Sequence, residues 1–266
     1  MNEELHNRES EFHDAWALST KLETINVLGM WESPTAMENQ FILSAMGDLC
    51  GKTILDIGSG FGESSVYFAL KGAKVTTVDI SAAMVDIAVR LGRYYGVEIE
   101  GIVSVGETLD VPENQFDFVY IANAIHHVPD RAALFRQIHK ALRPGGRFYS
   151  IDPLGYNPAI NVYRRMATEV RTVDEEPLQL KDLSMVRSMF REVGHKEFWL
   201  ATLLLFVKYY YIDKIHPNSE RYWKRLLKES PSGLWWWMPL RRLDSILCRI
   251  PLLRLWCWNI VIWGEK

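Results

Sequence analysis

The stretch "ILDIGSGFGESS", residues 54–65, constrains this chain more than any other. A short apolar run leads straight into Gly58, Gly60 and Gly62, and then into a segment with helical spacing. A strand that turns through glycines into a helix brings bare backbone close to a ligand. Such a loop serves a dinucleotide, a phosphate or another nucleotide-like cofactor. Spacing narrows the choice. A dinucleotide fingerprint counted from Gly58 needs its third glycine at position 63, which is Glu63. The glycines instead fall at every second position behind Asp56. A second acid, Asp79, closes the next strand-like run, where a carboxylate can take two ribose hydroxyls.

From Thr53 to Pro153 short apolar runs alternate with amphipathic stretches. "TILDIG" (53–58), "KVTTVDI" (74–80), "FDFVYIANA" (116–124) and "GRFYSIDP" (146–153) read as strands. Residues 62–73, 81–96 and 131–142 read as helices, the second with Ser81 as its cap. This rhythm predicts an α/β fold with a mostly parallel sheet covered by helices on both faces. Beyond Pro153, residues 178–194 read as an amphipathic helix stopped by Gly194. Residues 197–207 fit either a buried strand or a helix. Residues 211–254 read as helical, interrupted at Pro217, Pro231, Gly233, Pro239 and Pro251, and "WCWNIVIWGEK" reads as a strand.

Four segments in order, "LDIGSGFGESS", "VTTVDIS", "PENQFDFVYIANAIHHVPD" and "LRPGGRFYSID", resemble the class I S-adenosylmethionine-dependent methyltransferases of the small-molecule, ubiquinone and natural-product type. The likeness covers roughly residues 50–153. It implies a doubly wound seven-stranded sheet whose last strand is antiparallel and inserts beside strand five. It also implies one methyltransferase domain over 1–266, divided as an N-terminal helical lid (1–50), a cofactor-binding core (51–153), a substrate-side insertion (154–176), a helix and strand six (177–210), a basic Trp-rich helical lid (211–254) and the last strand (255–266). S-adenosylmethionine is the implied cofactor. Asp56, Gly58, Ser59, Gly60 and Asn123 would meet its amino-acid part and sulfonium, Asp79 its ribose, and Ile80, Met84, Gly106 and Glu107 its adenine. Many relatives read Gly-Asp-Ala-Glu where this chain reads Ser104, Val105, Gly106, Glu107. Val105 offers no side-chain acceptor to the adenine amino group, so a backbone carbonyl or Glu107 must serve.

For catalysis, "NAIHHVPD" and "SIDP" place His126, His127 and Asp152 at the carboxyl edge of the sheet, where such folds bind ligands. A histidine can take a proton from a phenol or hydroxyl near neutral pH. A His–Asp pair here resembles that of related sugar and polyketide O-methyltransferases, and His127 is the favoured base. One of the two histidines can instead point into the sheet or cap the next helix. Two adjacent histidines are poor chelate geometry, and no metal is assigned. "NAIH" carries neither the Pro-Pro nor the aromatic of one large group of nucleic-acid amino-methyltransferases, and the net charge of −3 does not suggest a nucleic-acid binder. The acceptor is expected to be a small molecule methylated on oxygen, or else on carbon or nitrogen. Trp16, Tyr163 and Arg164 are candidate substrate residues, with Phe12, His13, Arg165, Arg171, Asp174 and Glu175 near them in sequence.

The C-terminal quarter adds a lipophilic signal. Residues 208–254 hold ten Lys/Arg against four Asp/Glu, and seven of the ten tryptophans lie from Trp223 onward. Trp235, Trp236 and Trp237 are costly to expose together, and the arginines among apolar residues resemble a helix at a membrane interface. This lid is expected to admit a lipophilic acceptor or to touch a bilayer, although core packing or a homodimer contact would equally hide the tryptophans. The alternative function is a methyltransferase-fold protein without catalysis that serves as a peripheral membrane or interaction module. The acidic N-terminus has no apolar signal-peptide core, and the longest apolar runs are about half of the roughly 20 residues a spanning helix needs. Three cysteines, Cys50, Cys248 and Cys257, make no disulfide framework. A cytoplasmic protein is expected, with peripheral contact at a membrane surface.

Overall fold

The computed structural model describes residues 2–167, 175–219, 221–229 and 234–266. Seven strands form one sheet: β1 (Thr53–Ile57), β2 (Lys74–Asp79), β3 (Glu100–Val103), β4 (Phe116–Ala122), β5 (Leu142–Pro153), β6 (Arg191–Phe198) and β7 (Asn259–Glu265). Their spatial order is β3-β2-β1-β4-β5-β7-β6. The pairings from β3 to β5 are parallel, and β7 is antiparallel to both β5 and β6. This is the expected seven-stranded sheet, its last strand inserted beside β5. Chain direction reverses its march between β1 and β4, so the carboxyl ends of β1, β2, β4 and β5 open onto one crevice. Asp56, Asp79, Asn123 and Asp152 all lie at or just beyond those ends.

Helices cover both faces. α1 (Asn2–Ser19), α2 (Val27–Glu32) and α3 (Met37–Met46) precede the sheet, while α4 (Glu63–Leu70), α5 (Ala82–Tyr94) and α6 (Arg131–Ala141) are crossovers. α7 (Pro158–Met166) and α8 (Leu180–Met189) follow β5, and α9 (Leu204–Val207), α10 (Tyr222–Glu229) and α11 (Leu234–Leu247) lie between β6 and β7. Ser81 caps α5 by accepting from the Met84 amide at 3.0 Å, as its sequence position predicts. Two cores flank the sheet. One, with Trp31, Phe68, Tyr120 and Tyr149, packs α2–α5 and the C-terminal helices, and the other, with Leu55, Phe135, Phe148 and Phe190, packs α6 and α8.

Two local expectations change, and one strand has no local signal. Gly194 does not stop a helix: α8 ends at Met189 and Gly194 lies within β6. A Cβ there would fall 2.2 Å from the Trp263 ring, so the glycine makes room for β7's indole. Pro239 does not interrupt the lid but sits inside α11. β3, a four-residue edge strand with no buried residue, carries too little apolar signal to read from sequence. In addition, the free thiols of Cys248 and Cys257 lie 3.3 Å apart.

Candidate functional site

Two cavities meet in the crevice. The smaller, about 120 Å³, is lined by Asp79, Ile80, Ser104, Val105, Gly106 and Glu107 from the ends of β2 and β3, and by His6 and Glu9 of α1. The larger, about 320 Å³, is walled by Trp16, Tyr120, Tyr163, Trp199, Trp223 and Trp258, with Asp56, Ser59, Glu38 and Glu175 among its polar groups. His13, Gly58, Gly60, Asn123 and His127 border both, which places them at the junction.

The loop is built for a close ligand. Gly58 and Gly60 have φ of +65° and +54°, and nothing lies within 4 Å of a Cβ added at Gly60. The Gly60 amide donates to Asp79 Oδ2 at 2.9 Å, and the Ser81 amide to Asp79 Oδ1 at 3.0 Å. These bonds aim the carboxylate along the smaller cavity. Burial still holds Asp79 above the usual carboxylate range. Asp56 accepts from Ser65 Oγ at 2.6 Å, and burial pushes its carboxyl up to about 7. The Ser59 hydroxyl is buried with no protein partner among the described residues. An orphaned hydroxyl, an open glycine backbone and two acids suit a ligand with ribose hydroxyls and an amino-acid end. Met84, expected against the adenine, lies elsewhere: it is fully buried in the core, because its position in α5 faces the sheet.

Helix α1 closes the crevice from above. His6 lies 3.3 Å from Glu107, Ser10 donates to the Ile80 carbonyl at 3.4 Å, and Asp14 takes the Ser81 hydroxyl and the Ala83 amide. Trp16 is held between Phe61, with ring centroids 4.7 Å apart, and the Arg221 guanidinium, 4.0 Å from its own centroid.

The histidines divide their roles. His126, not His127, pairs with Asp152, its Nδ1 at 2.7 Å from Oδ1, while the His126 amide donates to the same oxygen at 3.2 Å. His127 lies beside it, with ring centroids 4.1 Å apart, and its own Nδ1 reaches Glu9 of α1 at 3.1 Å. Full burial pushes Asp152 up to about 8. Arg164 does not line the cavity: its Nη1 donates to Asn161 and the Leu154 carbonyl. Arg165 is exposed, and Arg171 and Asp174 fall outside the described residues.

Glu38 went unnoticed in sequence. It is buried beside the larger cavity, accepts from Trp199 Nε1 at 2.6 Å and Asn259 Nδ2 at 2.7 Å, and is held above the usual carboxylate range by burial. Its partners lie 161 and 221 positions away, so no local pattern announces it.

Comparison with known proteins fits this geometry. Residues 55–150 match the family model described as methyltransferase domain. Residues 55–150 therefore carry a methyltransferase domain, and the seven-stranded sheet that contains them has the class I methyltransferase fold. The domain is 33% identical over 124 residues to the ubiquinone biosynthesis O-methyltransferase of Pseudomonas syringae, covering 46% of this chain and 53% of that protein. It is 29% identical over 154 residues to phosphoethanolamine N-methyltransferase 3 of Arabidopsis thaliana, covering 55% of this chain and 29% of that protein. The chain thus spans about half, or less, of the length of these relatives. Its fold is similar to Haemonchus contortus phosphoethanolamine N-methyltransferase 2 in complex with S-adenosylmethionine, with TM-score 0.58, 19% identity, and coverage of 86% of this chain and 52% of that one. S-adenosylmethionine is the cofactor of this methyltransferase family. The relatives' names include both O- and N-methyltransferases, so the likeness leaves the acceptor atom open.

Proposed function

We propose that the protein transfers the methyl group of S-adenosylmethionine to a small lipophilic acceptor, on oxygen. The observation that carries this reading is the meeting of the two cavities at Gly58, Gly60, Asn123 and His127. The smaller cavity, with Asp79 at its floor, suits the nucleoside, and the larger, with its aromatic walls, suits an apolar acceptor. The cofactor supplies an electrophilic methyl on a sulfonium. The chain supplies alignment, which is worth up to ~7–11 kcal/mol when a nucleophile is held for in-line attack. Trp16 and Arg221 close the acceptor cavity against water. The His126–Asp152 pair stands ready to take a hydroxyl proton.

Calorimetry with S-adenosylhomocysteine tests the first half. Wild type should bind one equivalent, and Asp79→Ala should weaken binding at least tenfold. Absence of binding, or equal affinity in the two proteins, would count heavily against the enzyme reading. Turnover of phenolic acceptors with labelled methyl donor tests the second half. His126→Ala and Asp152→Ala should each lower turnover at least a hundredfold with little change in cofactor affinity.

A further inference from the structure

We propose that His126, His127 and Glu175 form a binding site for a single divalent transition-metal ion in the wall of the acceptor cavity. This rests on the methyltransferase reading only for the use made of the metal, not for its binding. One donor atom from each of the three residues lies within 4.8 Å of the others, and His126 is buried. His126 Nε2 is 4.0 Å from Glu175 Oε2. Three ligands around a tetrahedral ion at about 2.0–2.1 Å need donor separations of roughly 3.4 Å, so side-chain movements of about 1 Å complete the shell.

The surroundings are those of metal ligands. A metal-bound imidazole generally gives its other ring nitrogen to a carboxylate, which fixes tautomer and orientation. Both histidines have such a partner: Asp152 on Nδ1 of His126 at 2.7 Å, and Glu9 on Nδ1 of His127 at 3.1 Å. The third ligand is positioned by its neighbour. The Glu176 amide donates to the His126 carbonyl at 2.8 Å, and Arg131, ion-paired to Asp182 at 2.9 Å, donates to the Glu176 carbonyl. Backbone and side chain of the cluster are thereby joined across the β4 and β5 ends.

Adjacent histidines are poor chelators alone, and no third donor lies beside them along the chain. The chain returning at residue 175 supplies it. Two imidazoles and one carboxylate with open positions suit zinc, cobalt, manganese or iron in the divalent state rather than calcium or magnesium. His127 and Glu175 both line the larger cavity, so an open position faces the acceptor. An acceptor hydroxyl bound there loses its proton more easily. With the ion in place His126 is a ligand and no longer the base, so the proton leaves to solvent, the oxygen lone pair forms the O–CH3 bond, and the C–S bond breaks to release neutral S-adenosylhomocysteine.

The test uses the full chain, stripped with EDTA and desalted, then titrated with Co²⁺ and separately with S-adenosylhomocysteine. The expected result is one equivalent of Co²⁺ with visible d–d bands. Glu175→Gln and His127→Asn should each weaken Co²⁺ binding at least tenfold while far-ultraviolet dichroism, the check on folding, is unchanged, and S-adenosylhomocysteine affinity of Glu175→Gln, whose position does not line the smaller cavity, stays within threefold. Absence of d–d bands and of binding heat in wild type would overturn the site, whatever the variants do. So would Co²⁺ binding that both variants retain unchanged. Loss of S-adenosylhomocysteine binding with Co²⁺ binding intact would count against the methyltransferase reading and leave the metal site standing.

Discussion

Asp56 shows how one buried acid couples folding, pH and ligand. It is 1% exposed, its main partner is the Ser65 hydroxyl, and burial raises its pKa from 3.8 to about 7. A carboxyl raised in the folded state binds its proton more tightly there than in the unfolded chain. The stability this gives is complete below pH 3.8 and is lost as pH rises through about 7. Asp56→Asn should therefore flatten the fall in stability between pH 5 and 8, as read by urea denaturation at each pH. Cofactor binding should run the other way. An ammonium group beside Asp56 needs the carboxylate, so S-adenosylhomocysteine affinity should drop about tenfold per pH unit below 7. Identical pH profiles for wild type and Asp56→Asn would remove Asp56 from the ammonium site. The acid itself was legible because it precedes the glycines. Its protonation was not, since that depends on Ser65 and on being covered. His126 and His127 make the same point: sequence places both at the sheet edge, but only the turn geometry decides which one faces Asp152.

At the scale of elements, the parallel half of the sheet follows from pattern, while β6 does not. Each of β1, β2, β4 and β5 is an apolar run beside a helix, so period alone finds it. β6 reads "REVGHKEF", mostly polar, and becomes a strand only because β7 lies alongside it. Gly194 is where that pairing meets a side chain. Its Cα faces the rigid Trp263 indole, and an added methyl would come within 2.2 Å of it. Gly194→Ala should cost about 1–3 kcal/mol in chemical denaturation, and Gly194→Ala with Trp263→Leu should recover part of it. An unchanged midpoint in the single variant would show that β6 and β7 can separate without loss. Helix α1 offers a contrasting case. It touches the rim through His6, Glu9, Ser10 and Asp14 but carries few buried residues of its own. Deleting residues 1–19 should lower S-adenosylhomocysteine affinity at least tenfold and leave the far-ultraviolet dichroism of the core intact, because the helix closes the crevice without supporting the sheet.

For the whole molecule, the basic aromatic quarter divides into an inner and an outer face. Trp237 is buried, packs at a tilt against Trp199 with ring centroids 5.3 Å apart, and donates to the Pro34 carbonyl, so part of the tryptophan cluster is core. The side chains of Trp235 and Trp236 lie outside the described residues. Asp244 fixes α11 to the chain after β6 by accepting from the Leu200 and Ala201 amides and the Thr202 hydroxyl. Leu243 and Ile246 lie around the helix from it and are exposed, Ile246 to 62%. Ile250, Leu252 (79% exposed) and Trp256 continue the apolar surface, with Arg242 and Arg249 exposed among them. No helix among the described residues is long and apolar enough to cross a membrane, so such a surface would lie along a bilayer rather than enter it. Vesicles rich in phosphatidylglycerol should carry the protein upward in a density gradient, and vesicles of phosphatidylcholine should carry less of it. Ile246→Glu with Leu252→Glu should abolish flotation while S-adenosylhomocysteine binding is unchanged, since neither residue lines the crevice. Flotation that survives the double substitution would assign the lipid contact to another face, and absence of flotation in wild type would leave these residues as an ordinary exposed surface.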